Sequence, residues 1–158
     1  MYNRVKAIDY AIKWWNKRNP NFYDFDSLGG DCTNFISQCL NYGDIPMNYS
    51  PNGWFYNNIN SRAPAWTGVE EFYKFSTSNI SNLGVKAKKC TIHEVEEGDI
   101  VQLKLRGEDR FHHSMIITKI KGEKNLSNIL ITCHTYNFVN RPLVTYNILD
   151  IRFLKILN

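Results

Sequence analysis

The sequence contains no long hydrophobic run. No stretch reaches the ~18 uninterrupted apolar residues that a membrane-spanning helix needs. Charged residues are spread through the N-terminal segment MYNRVKAIDYAIKWW, where a secretion signal would have an apolar stretch. We therefore expect no membrane span and no signal peptide in this chain.

A block of positive charge is also absent. The 19 Lys and Arg residues face 15 Asp and Glu residues, so the formal net charge is only +4. The basic residues are scattered, and arginine does not alternate regularly with aromatic residues as it does in many nucleic-acid surfaces. Nucleic acid is therefore not the expected partner, although a mildly cationic surface suits another anionic polymer.

Cysteine is scarce. The 4 cysteines form no CxxC pair and are too few for a disulfide scaffold in a chain of this length. Cys32 and Cys39 lie seven positions apart in a predicted helix, roughly 10 Å along its axis, which is too far for an unstrained bridge. We expect free thiols, with Cys39 and Cys133 serving packing.

The composition that is present is typical of one folded domain. The 158 residues are 43% hydrophobic and 14% aromatic, and a chain of this length buries roughly 70% of the surface that it exposes when unfolded. No repeat, low-complexity segment or linker divides it. We predict a single domain over residues 1–158, monomeric because no apolar edge is self-complementary.

The first half of the chain has helical periodicity. Apolar residues at steps of three and four predict an amphipathic helix over residues 5–15. The segment DCTNFISQCLNYG predicts a second, largely buried helix with Asp31 as its N-cap. A functional surface loop is expected over residues 44–65, and a short third helix over 67–76.

After Gly84 the period changes to the alternation of β-strands. The predicted strands are VKAKKC, GDIVQLKLR, FHHSMIITKI, SNILITCHTY and ILDIRFLKIL. Helices that precede a group of strands indicate an α+β domain, with an antiparallel sheet and the buried helix packed on one face.

Cys32 follows the predicted N-cap, in the first turn of the second helix. Unpaired backbone N–H groups and the helix dipole favour an anion there, so we predict a nucleophilic thiolate. Gly29 and Gly30 lack side chains, so a substrate carbonyl could approach these amides, and we predict that Gly30 contacts substrate. The alternative is a small buried side chain without chemistry.

A thiol nucleophile needs a base and a group that orients the base. In FHHSMIITKI, alternation places His113 on the face of Met115 and Ile117. His112 lies on the other face. We predict that the more apolar face, with His113, packs on the helix. The next strand would pair as a hairpin and bring His134 beside His113 as the orienting group.

Metal binding is the competing use of these side chains. Cys32, His113 and His134, with Cys133, are soft ligands. However, the adjacent Cys133 and His134 point to opposite faces of a strand, and no ligand pair has the spacing of a zinc motif. We expect no metal and no other cofactor.

Two tryptophans, Trp54 and Trp66, are candidates for substrate binding. Rigid aromatic rings, with Phe55 and Tyr56 beside Trp54, could line a groove for sugars or extended peptides. An equally good interpretation is a loop that its own aromatic residues hold in place.

The motifs GGDCTNFISQCL, GDIVQL, HHSMIITK and CHTYNFVNRPL resemble the putative amidase domain family of bacteria and their phages. The resemblance extends over about residues 2–157. It implies a papain-like fold and similarity to cysteine peptidases that cut peptidoglycan. By this similarity Cys32 matches the nucleophile, His113 the base and His134 the third polar position. Papain has an asparagine there, so Asn137 stays an alternative.

The expected function is therefore cysteine-dependent hydrolysis of a peptidoglycan amide through an acyl-enzyme. The bond would lie between sugar and peptide or within the stem peptide, as for an endolysin, and the enzyme would act at the bacterial cell wall. Two alternatives stay open: a wall-binding module without catalysis, and a cysteine amidase or toxin that acts on another amide.

Overall fold

Helices fill the first half of the chain and a six-stranded antiparallel sheet the second, in a computed structural model that describes residues 1–158. The helices are α1 (Arg4–Trp14), α2 (Cys32–Tyr42), α3 (Pro64–Thr67) and α4 (Val69–Ser78). The strands are β1 (Tyr56–Asn58), β2 (Ser61–Arg62), β3 (Ala87–Cys90), β4 (Ile100–Leu105), β5 (His113–Ile120), β6 (Ile129–Cys133), β7 (Phe138–Pro142) and β8 (Ile148–Ile156). The predicted α+β class is thus confirmed.

Helix α1 begins with a side-chain cap, because Asn3 accepts a hydrogen bond from the Lys6 backbone N–H. Its buried side is formed by Ala7, Tyr10 and Ala11, whereas Val5 is exposed. The buried face of α1 is therefore centred on other residues than the apolar ones that predicted the helix. Small and aromatic residues pack against α2, and several of the aliphatic residues that suggested the stripe face solvent.

Helix α2 is buried on all sides along most of its length. Every residue from Cys32 to Leu40 is buried, polar ones included. The helix contacts α1 and α3 and packs on β5 and β6. Polar side chains in such a helix need partners inside the protein, and these partners define the candidate site.

The sheet has the strand order β3-β8-β4-β5-β6-β7. Strands β5 and β6 form the predicted hairpin, with Ile116 opposite Thr132 and Ile117 opposite Ile131. Strand β7 was not predicted, because its sequence FVNRP has little alternation and ends in proline. The hairpin brings the start of β5 and the end of β6 close to α2.

The two faces of the sheet have separate hydrophobic cores. Ile116 packs in the core formed with α1 and α2, whereas Met115 and Ile117 belong to the core on the other face. The expectation that the Met115 face packs on the helix is therefore wrong. Both faces of β5 are buried, so apolarity could not show which one the helix covers.

The predicted surface loop has structure of its own. It contains the β1–β2 hairpin and a bridge between Asn48 and Trp54, and α3 begins at its end. The longest helices have 11 residues, and no helix combines the length and the apolar character that crossing a membrane requires.

Candidate active site

Cys32 is the first residue of α2, and its sulfur lies beside the start of β5. The Sγ atom is 3.7 Å from the carbonyl oxygen of His112 and 3.8 Å from the hydroxyl of Thr33. Strand carbonyl groups point in the plane of the sheet rather than above or below it. The sulfur is therefore next to the peptide that joins His112 to His113.

Burial raises the pKa of the Cys32 thiol above its usual value, although the Ser114 backbone N–H and the Thr33 hydroxyl act in the opposite direction. Desolvation disfavours the charged form of any ionisable group, and here it outweighs the hydrogen bonds. The sulfur is accordingly a thiol in the resting protein. The expected resting thiolate is not what this environment favours.

Asp31 occupies the N-cap position but does not cap α2 with its side chain. Its Oδ1 accepts hydrogen bonds from the Phe25 backbone N–H at 2.9 Å and from the Asn34 side-chain amide at 2.8 Å. The N–H groups of the first turn are thus not satisfied by this carboxylate. They stay available beside Cys32 for an anionic oxygen.

His134 is buried under α2 and fully engaged. Its Nδ1 lies 2.6 Å from Asp31 Oδ2, its Nε2 donates to the Trp14 carbonyl at 2.7 Å, and its ring stacks on Phe35 at 3.8 Å. Neither nitrogen is free to hold His113. The predicted hydrogen bond between the two histidines is absent, because Asp31 and the end of α1 supply closer partners.

His113, unlike His134, has a ring nitrogen without a hydrogen-bond partner. It pairs with Leu103 across β4 and lies on the face turned away from α2. Its Nδ1 is buried and has no hydrogen-bond partner. Burial lowers the pKa of His113 below its ordinary value, and the nearby Glu108 carboxylate offsets this only in part. The ring is therefore neutral near pH 7 and has a nitrogen that can accept a proton.

The sulfur of Cys32 also affects the far face of the sheet. Burial raises the pKa of Cys133, a member of the far-face core, to about 11, and the nearby charge of an ionised Cys32 adds to the increase. The charges that act on the pKa of His113 itself are those of Glu108, His112 and Arg141, and Cys32 is not one of them. The hydrogen-bond partners of the Cys32 sulfur are Thr33 and the His112 carbonyl, and none of its hydrogen bonds goes to His113.

His112 lies at the mouth of the site and is about half exposed. Its Nδ1 is 3.6 Å from Glu108 Oε1, and its Nε2 accepts a long hydrogen bond of 3.4 Å from Arg110. It is the second candidate for a base beside Cys32.

A cleft of about 230 Å³ opens over Cys32. Gly30, the residue predicted to contact substrate, lines it, with a φ of +107° that L side chains rarely adopt. Glu70 and Glu71 from α4 and Arg110 from the β4–β5 turn also line it. These charged residues were not predicted as site residues, since nothing in their local pattern links them to Cys32.

A chain of hydrogen bonds runs from α2 across the sheet to Glu70, which lines this cleft. The Thr33 hydroxyl donates to Ser114 at 2.9 Å, and the Gln102 amide also donates to Ser114, at 3.0 Å. Arg152 donates to Gln102 at 2.7 Å and to Glu70 at 2.8 Å. Helices α2 and α4 are thereby tied to the sheet on both sides of Cys32.

Trp54 and Trp66 do not line the cleft. Both are 0% exposed, and their rings lie 4.7 Å apart. The indole of Trp54 donates to Ser37 at 3.1 Å, and that of Trp66 donates to Asn34 at 2.9 Å. Their predicted contact with substrate is wrong, and the alternative of a loop held by its own aromatic residues is confirmed. Both indole N–H groups find partners on the buried helix α2.

Asn137 is also engaged away from His113. Its side-chain oxygen accepts a hydrogen bond of 3.2 Å from Arg18 on the surface. The soft ligands considered for a metal are not assembled either, because no group of three or more His, Cys, Asp or Glu side chains converges in the structure. All four cysteines are free thiols.

Comparison with known proteins shows the family to which the chain belongs. The model of the family described as "Putative amidase domain" matches residues 1–156, so the chain belongs to that family. Membership indicates an amidase-type hydrolase activity. The chain is also 39% identical, over 132 residues, to the uncharacterized protein YhbB of Bacillus subtilis (strain 168). That match covers 80% of this chain but 40% of YhbB. No solved structure matches the chain.

Proposed function

We propose that the protein is a papain-like cysteine hydrolase that cuts an amide bond of bacterial peptidoglycan at Cys32. The observation that carries the proposal is the position of the Cys32 sulfur, at the first turn of a buried helix, in an open cleft and against the peptide between two histidines. Family membership supports the reaction class.

The resting pair is a thiol and a neutral imidazole. Burial raises the pKa of Cys32 and lowers that of His113, so neither charged form is favoured before substrate binds. We propose His113 as the general base because the family resemblance indicates this residue and its buried Nδ1 has no hydrogen-bond partner. The two side chains are not hydrogen-bonded in this conformation, so the mechanism requires their contact to form when substrate binds.

In the reaction, the imidazole takes the thiol proton as Sγ forms a bond to the carbonyl carbon. The uncapped N–H groups of the first turn of α2 stabilise the negative oxygen of the tetrahedral intermediate. The C–N bond then breaks, and the imidazolium gives its proton to the leaving amine. Water, activated by the same imidazole, hydrolyses the thioester and restores the thiol.

The choice of substrate rests on charge and on the family resemblance. The cleft carries the carboxylates of Glu70 and Glu71 as well as the guanidinium of Arg110, a set that suits a peptide with both ammonium and carboxylate groups. Stem peptides of peptidoglycan are of this type, and the net charge of +4 favours an anionic wall. The proposed place of action is the bacterial cell wall.

Cys32→Ala tests the chemistry. It should abolish the decrease in turbidity of purified cell walls, because no other group can form the acyl intermediate, while the fold and the wall affinity are retained. Cys90→Ala is the matched control, since Cys90 is a free thiol in β3, outside the cleft, and it should keep full activity. Wall lysis by Cys32→Ala at the unmodified rate would rule out the covalent mechanism.

The digestion products then identify the bond. Mass spectrometry of soluble fragments that shows intact stem peptides and free muramic acid ends would define an amidase acting between sugar and peptide. Shortened stems would define an endopeptidase. Wall binding without any new amine would favour the module without catalysis, and cleavage of another amide alone would favour the amidase or toxin hypothesis.

A further inference from the structure

A second cavity, of about 340 Å³, lies between α1 and α2 and shares no residue with the Cys32 cleft. Its size is within the range of about 300–1,000 Å³ that is usual for small-molecule sites. We call it the α1–α2 pocket, after the helix residues that line it together with Asn19, Asn21 and Phe22: Asp9, Tyr10, Lys13, Trp14, Gln38, Asn41 and Tyr42.

A relay of hydrogen bonds sets the orientation of the polar groups in this pocket. The backbone N–H of Asn21 donates to Asn19 Oδ1 at 3.0 Å, which leaves Asn19 Nδ2 to donate to the Tyr10 hydroxyl at 3.0 Å. The Tyr10 hydroxyl then donates its proton to Gln38 Oε1 at 2.7 Å. Because a backbone N–H can only donate, each later member of the relay has one fixed direction.

The relay ends at an amide whose donor is unused. Gln38 is only 4% exposed, and its Nε2 has no hydrogen-bond partner within the protein. This nitrogen is not one of the unpartnered atoms that are completely buried, so it keeps some exposed surface. The α1–α2 pocket is the cavity that Gln38 lines. A nearly buried amide group therefore offers its N–H donors to the pocket, where a ligand acceptor would satisfy them.

The pocket also offers acceptors and an aromatic face. Asn41 donates its amide to the Ile45 carbonyl, which turns its Oδ1 away from that bond and leaves it free to accept. The carboxylate of Asp9 makes no ion pair. Tyr42 packs one side of its ring on Tyr10, at 5.1 Å, but is 57% exposed.

We propose that the α1–α2 pocket binds a pyranose unit of an oligosaccharide. A sugar ring presents a C–H face for Tyr42, an oxygen acceptor for the Gln38 amide, and hydroxyl donors for Asn41 and Asp9. An aliphatic ligand would leave the Gln38 amide unsatisfied. The proposal is independent of the reaction at Cys32.

NMR titration of the unmodified, ¹⁵N-labelled chain with tri-N-acetylchitotriose or maltotriose tests the proposal. The side-chain NH₂ signals of Gln38, identified by their loss in Gln38→Glu, should shift with a dissociation constant at or below about 10 mM, the weak end of specific binding. Cys32→Ala should bind equally well. Absence of any shift of these signals with both sugars would overturn the proposal.

Tyr42→Ala and Tyr49→Ala form a matched pair of variants. Each residue is an exposed tyrosine that packs on one other ring at 5.1 Å, 57% and 59% exposed respectively, but only Tyr42 lines the pocket. Tyr42→Ala should weaken sugar binding at least about tenfold, because it removes the stacking face. Tyr49→Ala should leave it unchanged. Equal affinities of the two variants would contradict the proposal.

Discussion

The two faces of the sheet next to Cys32 each carry a histidine, buried in one case and half-buried in the other, and the two side chains differ in their hydrogen bonds. On the helix side, His134 has a partner for both ring nitrogens and a stacked neighbour in Phe35. On the far side, His113 is largely enclosed, but its Nδ1 has no partner.

The difference separates a structural role from a chemical one. A buried ring that is fully hydrogen-bonded stabilises the fold, here by joining the end of α1 through Trp14 and the start of α2 through Asp31 to the turn after β6. A buried nitrogen without a partner has a free-energy cost, and such costs are most common at functional sites. The same residue type thus has two expected functions on the two faces of one sheet.

The largest expected effect is that of His113→Ala on activity. Removal of a general base should lower kcat by about 10²–10⁴-fold, while the midpoint of thermal unfolding changes little because no hydrogen bond of Nδ1 is lost. The measurement is the initial rate of wall hydrolysis together with a thermal melt.

His112→Ala is the control for that variant. His112 contributes only long, half-exposed contacts, so its loss should change the rate less than about tenfold. If His112→Ala gave the large loss and His113→Ala the small one, the base would be His112.

The second effect is on stability. His134→Ala should lower the free energy of unfolding by about 3–5 kcal/mol, because it leaves the buried Asp31 carboxylate without its main partner and removes the stack on Phe35. Urea unfolding followed by tryptophan fluorescence measures the change. His93→Ala, at an exposed position, should stay within about 0.5 kcal/mol of the unmodified chain. If the His134→Ala protein were as stable as the unmodified chain, His134 would not have the structural role that distinguishes it from His113.

The smallest effect concerns pH. Since burial lowers the pKa of His113, the ring stays neutral and able to act as a base at pH values somewhat below the usual His midpoint of about 6.5. Activity should therefore fall only as the pH decreases through this lowered pKa. The profile of kcat/KM against pH measures it, and an acid limb centred above about 7 would exclude His113 as the base.

The chain's periodicities predicted several elements correctly. The steps of three and four located α1 and α2, and the alternation in FHHSMIITKI and SNILITCHTY predicted a hairpin whose two strands, β5 and β6, pair as expected. Cys32 was placed at a helix start from Gly-Gly-Asp alone, and it begins α2. Such local signals depend on residues within one or two turns of each other, so they can be read from the chain.

The partners of each side chain were not predictable in the same way. Trp54 lies in the polar segment 44–65 and Trp66 directly follows it, which suggested a surface groove, but their indoles donate hydrogen bonds to α2 across 17 and 32 positions. His134 was paired with the wrong neighbour because Asp31 and Trp14 lie over 100 positions away. Neither local propensity nor alternation carries information about contacts at such separations.

By itself the sequence determined an α+β chain with a cysteine at the start of a buried helix and histidines on the strands that follow, because helix starts and strand alternation are local properties. Only the tertiary structure decided which face of β5 meets α2, which histidine is satisfied and which is left with a free nitrogen. Those outcomes depend on the packing of a helix against a sheet that is buried on both faces, where every residue of β5 from Ser114 to Thr118 is equally enclosed.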